Sequence, residues 1–156
     1  MTMAMTLRKF LNNSGVDYDV VVHEREVVSS KIAQAAHIHG DQLAKAVMLT
    51  ADRGYLLAVV PSTHRVDLGR LSHLTGERLG LATEQELATA FGDCDPGAVP
   101  PCGNAYGIRV VLDDRLEDCA DIYFEAGDHE SLIHVSRQDF DRLMTGARHA
   151  TISHHV

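Results

Sequence analysis

Apolar positions recur along this chain at helical spacing in some stretches and at strand spacing in others, with turn chemistry at the changeovers. Residues 6–14 put Leu7, Phe10 and Leu11 on one helical face, and Gly15 supplies a stop. The run DYDVVVH (17–23) reads as a strand, and Ser29 or Ser30 caps a short helix through 31–40 that Gly40 closes. The most hydrophobic segment, DQLAKAVMLTADRGYLLAVVP (41–61), predicts a buried hairpin of strands 45–51 and 54–61 turned at Asp52-Arg53-Gly54. Asp67 caps a helix through LGRLSHLTG, RLGLA (78–82) reads as a short strand, and TEQE (83–86) is a capping box that opens a helix ending near Phe91.

Residues 92–107 hold three of the four prolines and four of the twelve glycines, which predicts a long loop. Strands follow at 108–113, 121–127 and 131–136, and Ser136 caps a last helix, RQDFDRLMTG. The tail ARHATISHHV is too short and polar to assign. Strands and helices mix irregularly with no linker or repeat, so the expected fold is one mixed α/β domain over residues 1–156.

Composition adds limits. At 156 residues, 45% hydrophobic and 23% charged, the chain can bury a core without staples. Three cysteines, 94, 102 and 119, form no paired motif, so a reducing, cytoplasmic setting is expected. No apolar run approaches the roughly 20 residues of a membrane span, and the N-terminus lacks the apolar core of a signal peptide. The net charge of −8 is lopsided: residues 1–75 carry +1 and residues 76–156 carry −9. That balance excludes a broad basic surface for duplex DNA, though not a local contact with one end of a nucleic acid.

Candidate chemistry is sparse. Lys45 sits at the mouth of the hydrophobic hairpin, where a snorkelling edge lysine and a functional cation are both open readings. Ten histidines lack zinc-ligand spacing, so no metal and no cofactor are expected. No GxSxG elbow or phosphate-binding fingerprint is present, and Cys94 and Cys119 stand among acids that would raise their pKa. FEAGDHES (124–131) joins two strands through Gly127, Asp128 and His129. It reads either as an ordinary turn or as a place where Gly127 brings backbone N–H groups close to a ligand carbonyl.

Three segments in order, LAKAVML with Lys45, GAVPPCG (97–103) and FEAGDHESLIHVS (124–136), resemble the YbaK/prolyl-tRNA-synthetase-associated editing domain family. The resemblance runs from about residue 20 to about residue 145 and covers nearly the whole chain. It implies a central curved mixed sheet flanked by helices, and hydrolysis of a wrong amino acid from tRNA, most often tRNA for proline. It places the family's most important lysine on Lys45 and its Gly-x-His pocket loop on Gly127, Asp128 and His129. The Gly-x-x-x-Pro-x-Gly-type loop falls on Gly97, Pro101 and Gly103, with Cys102 where an apolar residue is common. A small hydroxyl near the substrate falls on Ser30. Members use a hydroxyl or thiol of the substrate to assist, so His129 either sizes the pocket or acts as a general base.

With that resemblance the expected partner is the acceptor end of aminoacyl-tRNA, with a synthetase as a second. Lys31, Arg65 and Arg70 are expected to meet its backbone, against the plainer reading of a solvated face. An aminoacyl ester is already activated, so positioning and oxyanion stabilisation suffice, with Lys45 acting through low dielectric beside apolar walls. A non-catalytic domain of the same fold that binds aminoacyl-tRNA or a synthetase is the rival reading. A small-molecule hydrolase built on His129 is a third.

Overall fold

The computed structural model describes residues 3–26 and 28–156, without the side chains of Ser29 and Ser30. The serine cap expected at residue 29 or 30 is corrected, since α2 begins at Ser29 with Val28 at the N-cap position, while the substrate contact assigned to Ser30 lies outside the described residues. The chain runs α1 (Met5–Ser14), β1 (Asp19–Val22), α2 (Ser29–Ala35), β2 (Ala44–Ala51), β3 (Gly54–Pro61), β4 (His64–Val66), α3 (Leu68–Thr75), β5 (Gly80–Leu81) and α4 (Glu84–Ala90). It continues with β6 (Arg109–Asp113), β7 (Asp121–Glu125), β8 (Ser131–Ser136), α5 (Arg137–Leu143), β9 (Arg148–Ala150) and β10 (Ser153–His155). A central five-stranded mixed sheet has the order β5-β2-β3-β6-β9, antiparallel at β5–β2 and β2–β3 and parallel at β3–β6 and β6–β9. A three-stranded antiparallel sheet, β1-β8-β7, and the β4–β10 pair complete the fold.

The central hairpin is hydrophobic on both faces because both are covered. Ala44, Met48, Leu57, Val59 and Leu112 face the main core, which holds Leu7 and Leu11 of α1, Phe124 of β7 and Phe140 of α5. Leu49, Leu56, Ala58, Val60 and Val111 face a second cluster with Leu71 of α3 and Ile152. Strand alternation assigns Lys45 to this second face, beside Val47 and opposite Val60. A third cluster, with Ile32, Ala33, Leu43 and Leu132, fills the junction between the two larger sheets. There Leu43 forms a parallel bridge to Tyr123, so Lys45 and Glu125 lie two residues beyond one junction on strands running the same way.

Three helix starts follow the sequence signals. The Asp67 carboxylate accepts from the Arg70 N–H, Thr83 and Glu86 form a reciprocal capping box, and the Ser136 hydroxyl accepts from the Asp139 N–H. Two further expectations need correction. The helix expected through residue 40 ends at Ala35; His37 takes a positive φ of 59°, and Gly40 opens a 3-10 turn instead. Glycine is required there by close approach, since a Cβ would lie 2.7 Å from Thr63 Cγ2. Within the expected loop of 92–107, residues Gly103–Tyr106 also form a 3-10 turn.

The unassigned tail forms β9 and β10, anchored by the fully buried Asp113. Its Oδ2 accepts from the Ile152 N–H at 2.9 Å and the Ser153 hydroxyl at 2.7 Å, and its Oδ1 accepts from the Arg115 N–H at 2.8 Å. Ser153 in turn accepts from His64 Nδ1 at 3.0 Å, linking β6, β10 and β4. Elsewhere Glu77 receives a two-pronged bond from Arg109, at 2.8 and 3.1 Å, and the Arg53 N–H at 2.9 Å. These bonds, Arg109's first, hold its carboxyl down at about 2. Asp113→Ala leaves the buried Ile152 N–H and Ser153 hydroxyl without their acceptor, so chemical unfolding should show a loss on the order of 3 kcal/mol. An unchanged midpoint would contradict this account of the tail.

Candidate functional site

The connection between β7 and β8 is a tight turn whose backbone needs unusual residues. Gly127 has φ of 103° and His129 has φ of 61°; glycine takes such values freely and histidine more readily than most side chains. Asp128 shapes the turn between them. Its Oδ1 accepts from the N–H groups of Glu130 (3.0 Å) and Ser131 (2.9 Å), and its Oδ2 accepts from the Ser131 hydroxyl (2.9 Å). Both carboxylate oxygens are thus engaged inside the turn. Among the described residues, the N–H groups of Gly127, Asp128 and His129 have no hydrogen-bond acceptor.

Three other segments clasp this turn. The N–H of Ala4, just before α1, donates to the Ala126 carbonyl at 2.9 Å, and the Asp95 N–H donates to the Gly127 carbonyl at 2.8 Å. Residues 23–26 lie along its far side, where the N–H groups of His23 and Glu26 donate to the Glu130 and His129 carbonyls. Arg25 donates to the Asp128 carbonyl at 3.3 Å and lies 3.6 Å from the Asp95 carboxylate. The His129 ring bonds through Nε2 to the Pro96 carbonyl at 3.0 Å, and a Cβ on Gly97 would lie 3.5 Å from its Cε1. A depression of about 470 Å³ opens beside the turn, lined in part by Met5, Arg25, Asp93, Asp95 and Gly127.

Gly127, Asp128, His129 and Gly97 therefore meet in the structure. Pro101 and Gly103, at the other end of the same loop, are buried; Gly103 packs against the Ile108 carbonyl, Val110 and Leu57 rather than the turn. Lys45 is half-buried, and its ammonium donates to the His64 carbonyl of β4 at 2.7 Å. Burial first, and then the charge of neighbouring Arg65, pulls its pKa below the ordinary lysine value. Arg65 is near enough for its charge to act on Lys45, and the Leu43–Tyr123 bridge ties the segment before β2 to β7. The ammonium's described bond runs to β4 and not to that turn. Arg65, Arg70 and Lys31 are exposed, on β4, α3 and α2.

Sequence reasoning passed over Glu125, Arg25 and Asp95. Alternation along DIYFE puts Glu125 on the face of half-exposed Asp121 and Tyr123, which predicts a solvated carboxylate. It is buried instead, and burial, then the charge of Asp128, pushes its pKa up to about 8. Cys94 is pushed up to about 12, mainly by burial, and burial likewise raises the pKa of Cys102 and Cys119, so none is a ready nucleophile. One group with metal-compatible spacing, Asp114, Glu117 and His149, lies largely at the surface, with the His149 ring already 3.0 Å from Glu117. Among the described residues no helix is long and apolar enough to cross a membrane.

A mixed α/β domain with a clasped polar turn beside a sheet junction defines a small family of folds, and comparisons identify it. The aminoacyl-tRNA editing domain family matches residues 23–143. Two proline–tRNA ligases of Xanthomonas oryzae pv. oryzae are 33% identical over 107 residues, which is 67% of this chain and 18% of each ligase. The chain thus spans under a fifth of the length of these curated relatives. A solved structure described as a proposed trans-editing enzyme for prolyl tRNA synthetase superposes with a TM-score of 0.85 at 25% identity, covering 97% of this chain and 96% of that one. A hypothetical protein at 20% identity shares the fold, with a TM-score of 0.85 over 96% of this chain and 99% of its own. The chain belongs to the aminoacyl-tRNA editing domain family.

Gly127→Ala tests the packing of the turn. Its Cβ would lie 3.0 Å from Ala4 Cβ and 3.2 Å from Cys94 Sγ, at a φ that disfavours any side chain. Urea unfolding should show a loss of about 1–3 kcal/mol, with protease cutting earlier near residues 3–5 than in the native protein. Native stability with native protection would contradict the clasp.

Proposed function

We propose that this protein hydrolyses the ester of mischarged aminoacyl-tRNA in trans, with tRNA for proline as the leading substrate and the cytoplasm as its setting. The observation that carries this reading is a half-buried Lys45, its pKa lowered by burial and by the charge of Arg65, one sheet junction from a turn whose three N–H groups have no acceptor among the described residues. Membership of the editing family and the likeness to a proposed trans-editing enzyme support it.

The chemistry asks little of the protein. An ester to a ribose hydroxyl is activated already, and attack by water or by a neighbouring substrate group generates a tetrahedral oxyanion. Among the described residues the N–H groups of Gly127, Asp128 and His129 are donors without acceptors, suited to that developing charge. Lys45 and Arg65 form a local cationic pair on a chain of net charge −8, which suits the last phosphates of an acceptor end rather than the body of a tRNA. Exposed Lys31 and Arg70 extend that contact along the backbone. His129, fixed by Pro96, forms one wall of the aminoacyl pocket, and Gly97 keeps that wall close. Pro101 and Gly103 act from beneath by holding the loop that carries Gly97.

The test is a panel of tRNA for proline charged with Ala, Cys, Ser or Thr. At least one ester should be lost faster than it hydrolyses spontaneously, and Lys45→Ala should slow that loss on the order of 100-fold. Binding without turnover on every member would establish the non-catalytic reading. Activity retained in Lys45→Ala and lost in His129→Asn would establish a histidine-based hydrolase.

A further inference from the structure

Two polar atoms of the clasped turn are buried without a partner: Glu125 Oε1 and His129 Nδ1. They belong to neighbouring groups, since Glu125 Oε2 lies 4.0 Å from His129 Nδ1, and the two side chains are 10% and 4% exposed. A buried polar atom without a partner is costly, and two side by side call for one explanation. We propose that Glu125 is the positioning residue of His129: by closing the 4.0 Å gap, carboxyl and Nδ1 come to hold a single proton between them, and that proton fixes the ring against Pro96 as a wall of the aminoacyl pocket. This rests on the deacylase reading for its consequence in catalysis, though not for its physical content.

The tautomer follows from the partner. A carbonyl oxygen can only accept, so the bond to Pro96 requires the proton on His129 Nε2. A neutral ring held this way presents a bare lone pair at Nδ1. A carboxylate facing that lone pair would be repelled, whereas a carboxylic acid donates to it. The alternative placement of the same proton gives an imidazolium facing a carboxylate, with the same count of protons and charge. Either way the pair is neutral as a unit and titrates as a unit. Losing the shared proton leaves one uncompensated negative charge in a buried turn.

The surroundings favour keeping it. Asp128 stands three residues on and its charge acts on Glu125, while Glu130 follows on the strand side and Asp95 lies on the clasping loop. Arg25, from the 23–26 segment, is directed to the Asp128 carbonyl and Asp95. His23 of that segment is buried with its own Nε2 unpaired, and Lys45 sits beyond the sheet junction with its described bond to β4. Consistent with this, the carboxyl is raised to about 8, by burial first and the Asp128 charge second. As pH rises through that region the proton leaves and the Nε2–H clasp on Pro96 loses its support. The shared proton is present below it, so the ring is held at neutral pH.

The experiment reads the ring directly, on the free protein. Nitrogen-15 imidazole spectra, with His129 assigned by the loss of its signals in His129→Asn, are followed from about pH 6 to about pH 9. The native protein should show protonated Nε2 throughout and a single step at Nδ1 near the upper part of that range. Glu125→Gln keeps a donor for Nδ1 but no proton to lose, so its Nδ1 signal should stay flat. The same step in Glu125→Gln, or an Nε2 without a proton, overturns the proposal. In deacylation assays corrected for spontaneous hydrolysis, Glu125→Gln should keep native turnover at neutral pH and lose the alkaline decline. Glu125→Met should lower kcat on the order of 10-fold with KM little changed. Spectra as expected in a protein that deacylates nothing would sink the deacylase reading and leave the pair standing. A Lys45-dependent deacylase whose spectra lack the step would do the reverse.

Discussion

The bend between β7 and β8 is the constraint on which the rest of the site depends. Two left-handed residues separated by one, Gly127 and His129, turn the chain so sharply that the last side chain of β7 and the imidazole end up buried together. Such a bend does not hold itself. Asp128 closes it from within through three hydrogen bonds, and residues 4, 23–26 and 95–97 hold it from outside through the backbone. What remains unpaired among the described residues is the set of N–H groups at its tip, together with the Glu125 and His129 atoms behind them.

The sheet architecture sets where this bend faces. The β2–β3 hairpin is covered on both sides, so a lysine at its mouth has apolar neighbours along its stem and one outlet for its ammonium, the His64 carbonyl. Arg65, the next residue, then lowers the lysine's pKa from outside. The parallel bridge at Leu43–Tyr123 ties this cationic corner to β7 in register. The half-buried lysine and the bend thus lie on two strands that share one junction. Under the proposed function, the net charge of −8 would confine any nucleic-acid contact to a local patch.

Much of the fold is legible in the sequence because its signals are local. The 45–61 hairpin carries its own turn, with Gly54 at φ of 94°, and the caps at Asp67, Thr83 and Ser136 act within three residues. The Lys45, Gly97 and Gly127–His129 segments were recognisable as an ordered set, and the family match agrees. What sequence could not show depends on distant partners. β9 and β10 are three residues each and exist through Asp113, some forty positions earlier. Glu125 sits at a position where alternation predicts solvent and is instead buried beside His129. The helix after residue 28 ends early, with His37 in the left-handed region, and Gly40 serves a close approach to Thr63 instead of closing it.

The central claim is that the 127–129 turn receives the aminoacyl end of the substrate. Its most direct test is a titration of isotope-labelled protein with an adenosine carrying an aminoacyl group through a non-hydrolysable amide. The account predicts that the amide signals of Gly127, Asp128 and His129 shift together with the Lys45 side chain. Shifts confined to the separate cavity of about 250 Å³ between Asn104, Ile108, Met144 and Gly146, with the turn unmoved, would contradict it.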